Sequence, residues 1–329
     1  MATWPDHVTD ILGNDRCVAL AYRTPAAGVA MTPVVTLGAF DAEAATVTTT
    51  TSFGAWRKLV RLQADARAAL VYHTRHLSDV DHPHLVVAQG RASFPDEPGG
   101  WMTPELEARH DEFMHPRRRG RFRDWIGHEY YDFRVPVTIA VDRVVVFDRD
   151  DRAEPSEVLG RDLPPRPAAQ ESPAKGTDPR VAPRKWRARF ERARHHLVGY
   201  TDAEGYPMAH RVQPRIDGDA LRFECPALPV GGRRAGFLSH WFERHMVGQG
   251  SDVFTGWLEV DDTGSARYAP HTVGGYAVPA TDLARLKSPG HEVLALQACH
   301  PRFFATHRYI VYAKPVRVIP RKGRPYTLA

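Results

Sequence analysis

A mainly β protein with helices, an α+β chain built as two antiparallel barrels in tandem, is what this sequence predicts, on three observations. Short β-rich runs alternate with Gly/Pro turns at near-regular spacing, the pattern of antiparallel barrels with helices as plugs. A Pro-, Ala- and charge-rich stretch with almost no aromatic residues separates two such halves. The turn and strand "GYPMAHRVQP" of the second half echo "AAGVAMTPVV" of the first, a diverged internal repeat carried by few positions. The expected organisation is a first domain over 1–150, a linker over 151–185 and a second domain over 186–329.

In chain order, "CVALAYRT" and "AMTPVVTLGAF" are β-rich runs joined by "PAAGV", a turn of hairpin length. "AATVTTTT" follows the turn "FDAE". A helix comes next, with Ser52 as N-cap and Trp56, Leu59 and Val60 on one apolar face. "AALVYHT" and "HLVVAQGRASF" are two more strands. Residues 103–127 are charged and helical in pattern, with a cationic patch "HPRRRGR". The β-branched run "FRVPVTIAVDRVVVFDR" closes the half. After the linker, partly extended by its prolines, "WRARFERARHHL" reads as a helix. Three strands and two turns follow through "ECPAL". "DVFTGWLEVDD" and "ARYAPHTV" read as strands, "LSHWFERHM" and "PATDLARLKS" as helical.

The 329 residues suffice for two cores. A net charge of +5 is compatible with phosphorylated small molecules and too small to imply nucleic acid. Cys17, Cys225 and Cys299 are far apart and odd in number. They make neither a disulfide framework nor a zinc spacing, and a reducing compartment is expected. The opening residues carry no basic and apolar signal regions, and no run reaches the roughly 18 apolar residues of a membrane span. The expectation is a soluble, cytoplasmic protein with a small-molecule substrate and neither a nucleic-acid nor a membrane partner.

The junction "ATVTTTTSFGAWRKLVRL" concentrates hydroxyls and cations where a strand runs into a helix. Thr48 and Thr50 alternate with Thr49 and Thr51, so one pair is expected to face the barrel interior and the other to face out. A helix start offers free N–H groups and the positive end of its dipole, which suits phosphate. Lys58 adds a point charge and Arg57 a planar fork. Ser52 and Lys58 lie within two helical turns and can surround one group. A plainer account stands beside this one: threonine is a good strand residue, and Arg57 and Lys58 form a solvated helix face.

The order of these elements resembles the pyridoxamine-phosphate-oxidase-like, FMN-binding split β-barrel family. The residues that carry the likeness are Thr32-Pro33-Val34, Thr49 to Ser52, Arg57-Lys58, Leu62, Asp65, Arg67, "ALVY" and "QGRASF", over residues 17–95, with "VPVTIAVDRVVVF" as closing strand. Arg61 and Ala66 depart from the family's Asn and Pro. The resemblance implies two split barrels and an FMN-dependent oxidoreductase. It places the flavin phosphate at Thr50, Ser52 and Lys58, flanked by Thr49 and Arg57. The backbone of Thr32, Pro33 and Val34 would lie along the ring, with Gln89 as its hydrogen-bond partner. The deazaflavin F420 is the alternative cofactor, and a non-catalytic flavin- or haem-binding protein the alternative function.

The second half resembles the same family more faintly and has "GGRRAGFLSHWFERH" where the phosphate signature would stand. It is expected to keep the barrel without the cofactor, to form an intramolecular pseudo-dimer with the first half (or a homodimer of chains), and to use Phe237, Trp241 and Phe242 as core. The tail from Glu292 resembles the end of class E sortases, which are cysteine transpeptidases, and this likeness implies transpeptidation as a further alternative function. Cys299 and Arg308 keep that family's nine-residue spacing of nucleophile and oxyanion donor, with His240 or His245 as the upstream histidine. Tyr72 and His73 are expected either at the cofactor or at the surface. His82 and His84 are expected on one strand face, and His195 and His196 form a pair. Neither set has a third ligand at a standard spacing, and no metal is expected.

Overall fold

The computed structural model describes residues 4–36, 39–52, 56–76, 78–95, 108, 134–243 and 249–277, and the backbone of 294–300, 307–313, 317–318 and 326–327. The expected "HPRRRGR" patch, the helical reading of 103–127 and that of "PATDLARLKS" lie outside the described residues, apart from residue 108.

The first half opens with helix α1 (Asp6–Asn14). It continues with strands β1 (Cys17–Arg23), β2 (Val29–Val35), β3 (Ala39–Asp41) and β4 (Thr46–Ser52), helix α2 (Trp56–Ala64), and strands β5 (Arg67–Tyr72), β6 (Leu85–Ser93) and β7 (Arg134–Phe147). The linker contributes β8 (Glu157–Gly160), which pairs with β7. After the short helix α3 (Arg187–Arg192) come β9 (His195–Thr201), β10 (Pro207–Arg211), β11 (Arg215–Asp217), β12 (Ala220–Glu224), β13 (Gly231–Trp241), β14 (Gly250–Val260) and β15 (Ser265–Ala277). Two hairpins, β16–β17 (Leu294–His300, His307–Ala313) and β18–β19 (Arg317–Val318, Tyr326–Thr327), end the chain. No helix among the described residues is long and apolar enough to cross a membrane.

The two large sheets are antiparallel and share one strand order. The first runs β2-β1-β5-β6-β7-β4-β3 and the second β10-β9-β13-β14-β15-β12-β11, so each strand of one half has a counterpart in the other. The mainly β class with two tandem split barrels is therefore the observed one. The repeat extends to irregularities. The β6–β7 ladder slips between Gln89 and Gly90, and the β14–β15 ladder slips between Thr255 and Gly256. At both bulges a Cβ on the glycine would strike a carbonyl oxygen, of Ala140 at 2.0 Å and of Ala269 at 2.1 Å. The β1–β2 and β9–β10 turns also match, with bonds from Thr24 N to Gly28 O and from Asp202 N to Tyr206 O.

The first sheet is covered on both faces. Val18, Leu20, Leu70, Tyr72, Val86, Val144 and Val146 pack with Val8, Ile11 and Leu12 of α1 and Leu59 and Leu62 of α2. The alternate residues Ala19, Ala21, Ala69, Val71, Val87 and Val145 join a second core with Phe237, Leu238, Phe254 and Tyr268 of the second half and Trp186 and Phe190. The halves thus share one hydrophobic core, and Phe237 is part of it; Trp241 and Phe242 are buried too.

Three local expectations are corrected. "WRARFERARHHL" is helical only over Arg187–Arg192, because His195 already pairs with His240. "LSHW" is not helical but ends strand β13, paired with both β9 and β14. His82 and His84 precede β6 in a loop rather than sharing a strand face.

Candidate functional site

Strand β4 runs along β7 from Thr46 opposite Ala140 to Ser52 opposite Arg134. Thr49, Thr50 and Thr51 are all buried, so this end of the ladder is covered on both faces instead of one. The Thr49 hydroxyl donates to Val35 O at 2.8 Å, and Thr48 and Thr138 share a hydroxyl–hydroxyl bond of 2.9 Å. Ser52 is the last residue of β4. On α2 the structure separates the two cations. Lys58 is 6% exposed, on the face that buries Leu59 and Leu62, whereas Arg57 is exposed. One residue of helix is a rotation of about 100°, and Lys58 sits four residues before buried Leu62, on its side of the helix. The solvated-face account therefore holds for Arg57 and fails for Lys58.

Thr32, Pro33 and Val34 lie on β2 opposite Leu20, Ala19 and Val18. Strand β2 is at the edge of its sheet, the place in a ladder where a proline is tolerated. Besides β1 and β4 of its own half, strands β9, β13 and β14 of the second half pack on it. The approach is close, since a Cβ on Gly236 would meet Val29 O at 2.4 Å. Thr32 Oγ1 is buried and has no hydrogen-bond partner among the described residues.

Gln89 is placed in a buried network that crosses between the halves. Its amide nitrogen donates to Asp202 Oδ2 at 3.2 Å and Pro207 O at 2.9 Å, and its oxygen accepts from Arg143 Nε at 2.6 Å. Arg143 also donates to Asp202 Oδ2 at 2.8 Å and, more weakly, to Glu204 at 3.3 Å. Burial raises the Asp202 carboxyl above its usual range, opposed by bonds from the Tyr206 amide, Arg143 and Gln89. Sequence reasoning missed Arg143 and Asp202. The available signal was one arginine inside the apolar run "VDRVVVF". Nearby, a cleft of 540 Å³ is lined by residues including Asp65, Arg67, Arg91, Arg161, Glu204 and Tyr206. There Arg67 is bonded to both Asp65 oxygens and to Glu204 O, and Arg161 to the Glu204 carboxylate.

A second polar cluster joins the halves. His73 donates through Nδ1 to Val71 O at 2.9 Å, which leaves Nε2 to accept from His240 Nε2 at 2.7 Å. The His195 ring lies 5.9 Å and 5.3 Å from these two. Tyr72 and His73 are thus buried rather than at the surface. Burial, then neighbouring imidazoles, holds both His73 and His240 well below the usual histidine range. His195 faces this cluster, while His196 bonds Ser239 at 2.9 Å and packs on Phe190, so the pair is divided between two environments. Cys299 and Arg308 are direct cross-strand partners in β16–β17. His240, one of the two histidines matched to them, is committed to His73; His245 lies outside the described residues.

No family model and no curated protein matches the chain. Among solved structures, it is similar to a pyridoxamine 5'-phosphate oxidase-related, FMN-binding protein from Nostoc punctiforme, at 10% identity over 65% of this chain and 98% of that one, with a TM-score of 0.33. It is similar to an FAD-binding protein from Mesorhizobium loti at 16% identity, covering 44% and 94% of the two chains, TM-score 0.28. A heme-binding protein from Mycobacterium smegmatis matches at 14% identity over 86% and 95%, TM-score 0.28.

Proposed function

We propose that the first half binds FMN and that the second half is its covalently attached pseudo-partner, together forming a flavin-dependent oxidoreductase acting on a small molecule. The observation that carries the reading is Lys58, a buried lysine on the helix that follows the run of buried threonines ending β4. Its charge would neutralise the flavin phosphate, with Thr50 and Ser52 as hydroxyl donors. The orphaned Thr32 hydroxyl fits a ring lying along β2, since a buried hydroxyl without a partner is costly and a bound group would satisfy it. Gln89, with both amide protons spent on the second half, acts in this reading as a tie between barrels and Arg57 as a surface charge. When bound, the flavin supplies hydride transfer; the chain's own residues hold it and exclude water from it.

The test is reconstitution with FMN followed by fluorescence titration. Lys58→Ala is expected to weaken binding by roughly 1–3 kcal/mol, about fivefold to 150-fold, and Arg57→Ala to leave it within about threefold. Equal affinity in wild type and Lys58→Ala overturns the seat. Preferential binding of F420 or haem in the same titration replaces FMN as the ligand.

A further inference from the structure

We propose that His7, His82 and His84 form a binding site for a divalent first-row transition cation, completed by the carboxylate of Glu157 or Asp10. The sequence offers only His82-Pro83-His84, two imidazoles with no third at a standard spacing. The fold supplies the third from α1. The ring centres of His7 and His84 are 5.5 Å apart, those of His7 and His82 6.1 Å, and those of His82 and His84 6.1 Å. Three imidazoles on one tetrahedral ion, with metal–nitrogen bonds of about 2.0–2.1 Å, have ring centres about 5 Å apart. The observed triangle is nearly equilateral and within about an ångström of that size.

Carboxylates stand at the same corners. His7 Nε2 is 3.1 Å from Glu157 Oε2, and His82 Nε2 is 3.7 Å from Asp10 Oδ2. Two donor atoms of one tetrahedral ion are about 3.3 Å apart. His84 Nδ1 is buried and without a hydrogen-bond partner among the described residues, as is Asp148 Oδ1, whose charge acts on the His84 ring.

The backbone of the His82–His84 loop is held in advance. The Arg75 guanidinium donates to both His82 O and His84 O, and its remaining arm is paired with buried Asp15. The side chains of His7 and His82 are 30% and 39% exposed, so an ion can reach them. Among the described residues no three donors already converge on one point. The rotations needed are those of side chains on a fixed frame. Imidazole with carboxylate suits zinc, nickel, copper or iron over calcium or magnesium. An ion held there ties α1 to the loop before β6 and, through Glu157, to β8 of the segment that joins the halves. This inference does not depend on the flavin reading.

The experiment titrates the full-length protein with Zn²⁺, and with Co²⁺ as a spectroscopic probe. One equivalent of Zn²⁺ is expected to bind at micromolar or tighter affinity and to raise Tm, where Mg²⁺ at the same concentration does neither. Co²⁺ is expected to give the intense visible bands of a tetrahedral site. His82→Gln and His84→Gln should each weaken binding at least tenfold with unchanged far-UV circular dichroism. No uptake by the wild type, or equal uptake by a variant with His7, His82 and His84 all changed to Gln, overturns the site. So does uptake lost instead with His73→Gln, which places the ion at the buried cluster.

Discussion

Arg143 is 2% exposed and Asp202 6% exposed, so neither charge reaches bulk water. A buried pair of this kind is weak evidence for stability in itself, but removing one partner strands the other charge. Asp202→Ala is expected to destabilise the protein by about 3–5 kcal/mol in urea unfolding, while replacing Arg143 and Asp202 together by apolar residues costs less than the single change. If the single variant unfolds like wild type, the network does not hold the halves together. Residue identity alone marks the proposed phosphate seat: hydroxyls and a lysine at a strand-to-helix junction need no tertiary information. The network was not legible, because Gln89, Arg143 and Asp202 meet only after two sheets pack, and nothing local marks a glutamine as spoken for.

Strands β9 and β13 bring histidines against His73 from the end of β5, and this makes the junction of elements sensitive to acid. His73 and His240 are held well below the usual range, His195 and His196 at about 4 and His210 at about 3, all chiefly by burial. Groups whose folded pKa is depressed contribute stability that is present above the unfolded value of about 6.5 and is lost as pH falls toward the folded values. Asp15 and Asp252, raised by burial to about 6, act in the opposite sense, because they bind a proton more readily when folded. These five imidazoles outnumber the three carboxyls that burial raises, Asp15, Asp202 and Asp252, so Tm is expected to fall from pH 6.5 to pH 4. His240→Gln should flatten that decline; an equally steep profile in the variant would place the acid sensitivity elsewhere. These strands also show why pattern reading fails at a covered sheet. With both faces of β13 buried, Leu238 and Trp241 lose the alternation of a half-exposed strand and, with Phe242 just beyond it, imitate a helical stripe. Strands β1, β2 and β4 to β7 were legible, because Gly/Pro turns and β-branched runs bound them.

The whole molecule is organised by one core that belongs to neither half alone. The joining segment is anchored at several points: β8 on β7, Gln170 N to Gly232 O, Arg180 N to Pro270 O, with Leu163 and Val181 on the shared core. Between the last two anchors the turn at Pro173–Gly176 is largely exposed. A protease site inserted there is expected to cut cleanly, with the two fragments co-eluting on a sizing column until denaturant is added. Fragments that separate in buffer would show that the shared core does not bind the halves. The matching strand orders carry a further consequence. Where a barrel pairs with an identical copy, a new residue appears on both sides of the two-fold axis at once, and it must suit both places. In one chain the copies are free to differ. Where the first sheet sets Gln89 opposite Arg143 inside the junction, the second sets Thr255 opposite Thr272, hydroxyl to hydroxyl, in solvent. Asp202 completes the buried network from a turn whose counterpart holds Thr24. One copy of this position is thereby locked by charge, and the other is left to change without disturbing the lock.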